Sequence, residues 1–575
     1  LAQASSPAAR RRKLLLGSAP VVAGLAFALG ALVGADSSRP THAQGFADAW
    51  EAQDFEAMHA QLTPSAAKRY DVDDLERAYA RAQATATATR VETGAVEVED
   101  GVASFPVRVE THAFGTVEGS VRASVDDAGR VDWQPHLVFP GLEPGERLDR
   151  ATRIGSRGPL LARDGTPLAE GDPAARSSPL GVAALAIAGS VGSPSRKQER
   201  ELYAYGFPPG TPTGTTGLEL AFNRHLAGQP GGRLLAVPEE GADGQGRVLA
   251  QSEPRDGRPV RTTIDPEIQR AATAALGDQY GGIAVLDARN GQVLAAAGLA
   301  FSAPQPPGST FKIITAAAAL EAGEVSPEDS FPVEVSNSEI GREIANSHDA
   351  PCGGTFVQSF ARSCNTVFAP LGVRVGGERL VEMAEAFGFN EPPALMADDA
   401  QAALDPPPSS IPDPIEGDVA VGESAIGQGQ VLATPLQMAS VAQTIANEGV
   451  RMPTSIVRTR ALRSEAEPER AVSADTARKI AEMMVEVVRS GTGTAAALPD
   501  AQVAGKTGTA ELGPAPASTS EPGSEAEQEV DAWFTAFAPA QRPRFAVAVM
   551  IVNASGDGGE VAAPIAREVL AAALD

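Results

Sequence analysis

Cysteine is nearly missing from this chain. Of 575 residues only Cys352 and Cys364 carry a thiol, which excludes a cysteine-built zinc or iron–sulfur framework. Histidine is almost as scarce. The six present, His42, His59, His112, His136, His225 and His348, are scattered along the sequence. They make no H-E-x-x-H or similar spacing, so neither a metal nor a cofactor is expected. Positive charge is in deficit: 47 Lys and Arg stand against 73 Asp and Glu, a net charge of −26. A surface this acidic repels phosphate backbones, which removes nucleic acid as a partner.

What is present begins with a basic cluster, Arg10, Arg11, Arg12 and Lys13, followed by an uncharged apolar stretch over residues 14–35. That stretch is long enough to cross a bilayer as a helix. The cluster holds residues 1–13 in the cytoplasm, so everything after Asp36 is expected outside it. The rival reading is a cleaved export signal, because Gly17, Ser18 and Pro20 weaken the first turn and leave a run near signal-peptide length. Both readings place the folded part beyond the cytoplasmic membrane.

A chain of this length exceeds one core and calls for several domains. Over residues 44–148, Phe46, Trp50, Phe55, Met58 and Leu62 suit two short amphipathic helices. Alternation at 95–99, 105–110 and 117–122 suits strands, giving a small α+β domain with its helices first. Residues 150–256 hold Gly- and Pro-rich turns around Arg157-Gly158, Asp164-Gly165 and Thr216-Gly217-Leu218-Glu219, the pattern of an extended linker. Residues 257–575 open on a helix at Pro266 and a hairpin turned by Asn290-Gly291 between 283–287 and 292–296. They close on adjacent strands at 533–537 and 545–552 and a last helix. Strands at both ends with helices between predict an antiparallel sheet beside a helical region. The Ala-, Ser-, Pro- and Glu-rich residues 514–529 read as a mobile loop.

Three short motifs occur in this last domain, in order: Ser309-Thr310-Phe311-Lys312, Ser363-Cys364-Asn365 and Lys506-Thr507-Gly508-Thr509. Pro307-Gly308 ahead of an apolar helical pattern puts Ser309 at a helix N-terminus. Residues at i and i+3 share a face, so the Ser309 hydroxyl and Lys312 amine can meet. Serine is a weak nucleophile until a base takes its proton, and lysine serves only when burial or a second cation depresses its pKa. Ser363 can relay a proton and Asn365 can hold an amide. On an edge strand, Gly508 would admit a substrate backbone, while Lys506, Thr507 and Thr509 would meet a carboxylate. Each motif alone is weak. Together they match the S-x-x-K, S-D-N, K-T-G signature shared by serine β-lactamases and penicillin-binding proteins, with Cys364 replacing the central residue of the second.

Over nearly its whole length the chain resembles the class B penicillin-binding proteins. The likeness is carried by Pro306-Pro307-Gly308-Ser309-Thr310-Phe311-Lys312-Ile313, Ala425-Ile426-Gly427-Gln428-Gly429, Thr434-Pro435-Leu436-Gln437-Met438-Ala439 and Gly505 to Ala510. The linker motifs resemble that family's dimer domain. Phe46, Trp50, Asp54, Trp133-Gln134-Pro135 and Phe139-Pro140 resemble the nuclear-transport-factor-2-like domain of its low-affinity members. The resemblance implies a multidomain α+β protein: a transmembrane helix, a cone-like α+β domain, a linker or dimer domain, and a penicillin-binding transpeptidase domain.

It also implies roles. Ser309 attacks the penultimate D-Ala of a peptidoglycan stem peptide and Lys312 takes its proton. Backbone N–H groups of Ser309 and Thr509 hold the oxyanion. Ser363 passes a proton to the leaving D-Ala, Asn365 orients the peptide, and Lys506, Thr507 and Thr509 take the terminal carboxylate. β-Lactams would leave a slowly hydrolysed adduct. No glycosyltransferase-like domain is apparent, so the implied partners are stem peptides or a lipid-linked precursor, β-lactams, the cytoplasmic membrane and a separate glycosyltransferase. A β-lactamase and an acylated β-lactam or muropeptide sensor remain as alternatives. Cys352 and Cys364, close in sequence and outside the cytoplasm, are either a bridge pinning the Ser363 loop or two buried thiols.

Overall fold

The computed structural model describes residues 42–239, 246–511 and 530–575. The expected cytoplasmic tail (1–13), the apolar stretch at 14–35 and the loop at 514–529 lie outside the described residues. Among the described residues no helix is long and apolar enough to cross a membrane. The chain divides into two compact bodies, one built mainly from residues 42–144 and the other mainly from 145 to the C-terminus.

The first body opens with four helices, His42–Ala52, Phe55–Ala60, Pro64–Arg69 and Val72–Ala86. Asp54 and Thr63 cap the second and third through their side chains, satisfying backbone donors that a helix start leaves free. Two of these helices were expected. The longest, Val72–Ala86, escaped because its buried stripe, Leu75, Tyr79, Ala82 and Ala86, is half alanine and barely registers as apolar periodicity. The helices are followed by a four-stranded sheet. Trp50 lies against Tyr79 and Phe105 with ring centroids 5.2 and 6.3 Å apart, and Trp133 donates its indole N–H to the Tyr79 hydroxyl at 3.3 Å.

In the second body, residues 146–252 build a three-stranded antiparallel sheet in which Gly231–Pro238 pairs with both Glu146–Arg153 and Arg247–Ser252. The two linker motifs meet within this body. Arg157 donates to Glu219 at 2.7 Å and to Asn223 at 2.9 Å, and Arg176 reaches the other Glu219 oxygen at 2.7 Å. The Arg157 and Glu219 side chains are 2% and 1% exposed. A carboxylate held between two guanidinium groups this deep is costly to break, because a lone buried charge is left behind. Glu219→Ala is expected to destabilise the protein by about 3–5 kcal/mol, read as a lowered midpoint in thermal or urea unfolding. An unchanged midpoint would show that the triad contributes nothing.

The C-terminal region carries the sheet that positions the motifs. Its strands in chain order are β1 (Gly281–Asp287), β2 (Val293–Gly298), β3 (Ala504–Glu511), β4 (Val530–Ala538) and β5 (Phe545–Ala554). Their spatial order is β2-β1-β5-β4-β3, all antiparallel. Both faces are covered, so alternate residues enter two cores. Ile283, Val285, Val547 and Val549 pack with the helices Pro266–Leu276 and Ala563–Leu574. Ala284, Leu286, Ala546, Ala548 and Met550 face the helical region, including Pro435–Ala446. Burial on both sides explains the near-continuous apolar runs. β3, which bears Lys506 to Thr509, is the edge strand, and its free side borders the groove.

Candidate active site

Ser309 sits in a 3-10 turn, Gly308–Phe311, that runs directly into the helix Lys312–Glu321. The expected helix start is therefore one tight turn later than the motif suggested. Three glycines make the turn possible. A Cβ on Gly308 (φ +51°) would lie 2.6 Å from the Thr509 carbonyl oxygen, and one on Gly427 would lie 2.0 Å from the Gly308 carbonyl. A Cβ on Gly508 would lie 2.6 Å from the Pro307 carbonyl. Gly508 thus permits a close approach of the backbone that carries Ser309. The nucleophile turn is clamped between β3 and the Gly427 loop.

Lys312 is fully buried and points at the second motif. Its Nζ donates to the Ser363 carbonyl at 2.7 Å and to Asn365 Oδ1 at 2.7 Å, and lies 3.3 Å from Ser363 Oγ. Lys506, equally buried, donates to Ser363 Oγ at 2.9 Å and to the Thr507 carbonyl at 3.0 Å. One serine hydroxyl therefore joins two lysines that lie far apart in sequence. The face of Phe368 lies 5.5 Å from the Lys312 ammonium and that of Phe360 5.7 Å from Lys506, a partial replacement for lost water. Burial pushes Lys312 well below the ordinary lysine value, and the neighbouring Lys506 charge pushes it further. Burial alone brings Lys506 to about 7. A neutral amine at Lys312 is a base, and a group titrating near neutrality at Lys506 can supply a proton.

Ser363 occupies the left-handed region at φ +63°, a conformation that costs a non-glycine residue energy and persists only when its surroundings hold it. Here they do: its carbonyl and hydroxyl are both bonded to lysine, and Asn365 begins the next helix while donating to the Ala345 carbonyl at 2.9 Å. Cys364 between them is joined to Cys352. Asn346, which sequence reasoning missed, accepts from the Thr366 backbone at 3.1 Å and donates to the Glu334 carbonyl at 2.8 Å. It ties the outer loop to the second motif.

The motifs open on a groove of about 110 Å³ lined by Ser309, Ser363, Asn365, Thr492, Thr507 and Thr509, together with Glu511 and Asp557. Among the described residues the Ser309 hydroxyl has no hydrogen-bond partner, and Lys312 is bonded to Ser363 and Asn365 rather than to Ser309. Lys506 points at Ser363 instead of out into the groove, leaving Thr507 and Thr509 as the outward-facing part of the third motif. Among the described residues no cluster of His, Cys, Asp and Glu is arranged to hold a metal ion.

Residues 281–571 match the model of the penicillin binding protein transpeptidase domain. The chain belongs to that family. Residues 40–146 match the NTF2-like N-terminal transpeptidase domain and 171–262 the penicillin-binding protein dimerisation domain, so this is a class B penicillin-binding protein with an NTF2-like domain in front. It is 35% identical over 423 residues to the peptidoglycan D,D-transpeptidase PbpA of Mycolicibacterium smegmatis, spanning 63% of this chain and 80% of that one. It is 32% identical over 405 residues to the penicillin-binding protein PbpB of the same species, spanning 62% and 60%. Among solved structures, penicillin-binding protein A from Mycobacterium tuberculosis as its penicillin G acyl-enzyme complex superposes with a TM-score of 0.56 at 29% identity, covering 73% of this chain and all of that one. In this penicillin-binding protein the three motifs thus converge on one groove, and the two residues added by the structure, Asn346 and Thr492, lie in loops with no motif spelling to mark them.

Proposed function

We propose that this protein is a peptidoglycan D,D-transpeptidase acting through an acyl-enzyme on Ser309. The observation that carries the reading is the Lys312–Ser363–Lys506 network, buried behind a groove into which the Ser309 hydroxyl, without a hydrogen-bond partner among the described residues, opens. Ser309 Oγ attacks the carbonyl carbon of the penultimate D-Ala, and its proton goes to the neutral Lys312 amine. The backbone N–H groups of Ser309 and Thr509, brought together by Gly308 and Gly508, hold the tetrahedral oxyanion. As the C–N bond breaks, the proton passes through the Ser363 hydroxyl to the departing D-Ala amine. An amine from a neighbouring stem peptide then attacks the ester, reversing the proton transfers and releasing Ser309. Asn365 orients the peptide, and Thr507 and Thr509 receive its terminal carboxylate. β-Lactams enter the same groove and stop at the acyl-enzyme.

The family names of the relatives support this reading, as do their structures as penicillin acyl-enzymes. The domain limits we propose are 44–148, 150–256 and 257–575. Residues 14–35 are proposed as a single-pass anchor that keeps 1–13 in the cytoplasm and the catalytic domain outside it. Polymerised glycan strands then come from a separate glycosyltransferase. The test is a cross-linking assay with a stem-peptide donor and a diamino acceptor, run beside nitrocefin hydrolysis. Cross-linked product that disappears with penicillin is expected. Rapid nitrocefin turnover would assign a β-lactamase, and a stable adduct without cross-linking would assign a sensor.

A further inference from the structure

Beside the three motifs, one more residue reaches the groove from the loop that follows the helix Ala474–Ser490. Thr492 Oγ1 lies 2.6 Å from Thr507 Oγ1. Its backbone N–H donates to the Ala361 carbonyl at 3.1 Å, two residues ahead of Ser363. Its own carbonyl abuts Gly559, where a Cβ would come within 2.4 Å. The adjacent Gly558 donates its N–H to Thr509 Oγ1 at 3.3 Å, and a Cβ there would strike the Gly508 and Trp533 carbonyls at 2.3 Å. One loop and one glycine turn therefore contact both hydroxyls of the third motif from behind.

A proton count gives this arrangement a consequence. A threonine hydroxyl has one proton and two lone pairs, and a carboxylate only accepts. For Thr507 to donate to a substrate carboxylate, its oxygen must accept from its other neighbour, and that neighbour is Thr492. Among the described residues Thr507 is the only hydrogen-bond partner of the Thr492 hydroxyl. Gly558 does the same for Thr509, because a backbone N–H can only donate. Lys506 is turned inward to Ser363 and leaves this task to the hydroxyls. Resting on the reading that a carboxylate-terminated peptide binds at Thr507 and Thr509, we propose that Thr492 is a positioning residue that donates to Thr507 and sets its proton toward the substrate carboxylate. The chain Thr492 to Thr507 to carboxylate is polarised in one direction, which strengthens each bond.

The test compares two acylating probes, a thioester-linked dipeptide analogue with a free C-terminal carboxylate and its methyl ester. The readout is the ratio of their kcat/KM values. Thr492→Val puts a methyl group where the hydroxyl was and keeps water from replacing it. It is expected to lower the acid-to-ester ratio by about 5- to 10-fold, the scale of one hydrogen bond between neutral groups, with the melting temperature unchanged. Thr492→Ser should keep the ratio. If the valine variant does not fold, Thr492→Ala carries the same comparison. An unchanged ratio, an equal fall for both probes, or a serine variant as impaired as the valine overturns the proposal. Thr507→Val in the same series separates the two levels: if it leaves the ratio at the wild-type value, the carboxylate site itself is misassigned, whatever Thr492 does.

Discussion

Ser309→Ala is expected to abolish covalent capture of a fluorescent penicillin and to reduce cross-linking by roughly 10⁴-fold or more, as removal of a serine nucleophile does in other acyl-transfer enzymes. The hydroxyl is the only group removed, and no contact among the described residues depends on it. Among the described residues it has no hydrogen-bond partner, and the turn around it is held by Gly308, Gly427 and Gly508 and by the bond from Gly308 N–H to the Gly427 carbonyl at 3.0 Å. The variant should therefore melt at the wild-type temperature and still bind β-lactams reversibly. Label retained on Ser309→Ala would mean that another side chain is acylated, and the assignment of the groove would fall with it.

The second large effect is expected at Lys312. Replacing it with methionine keeps the volume and removes the base, and acylation should fall by about 10²- to 10⁴-fold, the usual contribution of a positioned general base. Lys312→Arg should lose activity at every pH, because a guanidinium keeps its proton. The wild-type pH profile follows from the same groups. Burial and the Lys506 charge lower the Lys312 pKa, so the amine is neutral, and able to accept a proton, only above that lowered value. Acidification protonates it, and acylation should fall along an acid limb that is missing from the residual activity of Lys312→Met. A wild-type rate that stays flat from neutral pH to acid would exclude Lys312 as the base. Stability carries the same sign. An unfolded lysine holds its proton up to about 10.4, whereas the buried Lys506 releases it at about 7. Between these values the unfolded chain binds more protons than the folded one, so this contribution is lost as pH falls from the upper value to the lower.

Several features of the site could be read without coordinates. The chain has only six lysines, and two of them fall in short motifs beside serine and threonine. The spacing of Ser309 and Lys312, the hairpin at Asn290-Gly291 and the terminal strands were legible because each depends on local preferences, helix periodicity and turn chemistry. Less legible was where the side chains point. Lys506 reads as a cation waiting for a carboxylate, yet it lies buried against Ser363. Gly508 reads as an opening for substrate, and the backbone of Pro307 approaches it. Thr492 carries no signal at all, since a threonine between two glycines is an ordinary turn.

By itself, then, the amino-acid sequence determined which reactive groups this protein owns, in what order, and on which kinds of local structure they sit. Tertiary structure alone decided which of them share a proton. Hydrogen bonds act over about 3 Å, a distance that packing of the sheet against the helices sets and that no spacing along the chain encodes. The depressed pKa values of Lys312 and Lys506 have the same origin: they come from water excluded by neighbours contributed from across the whole domain.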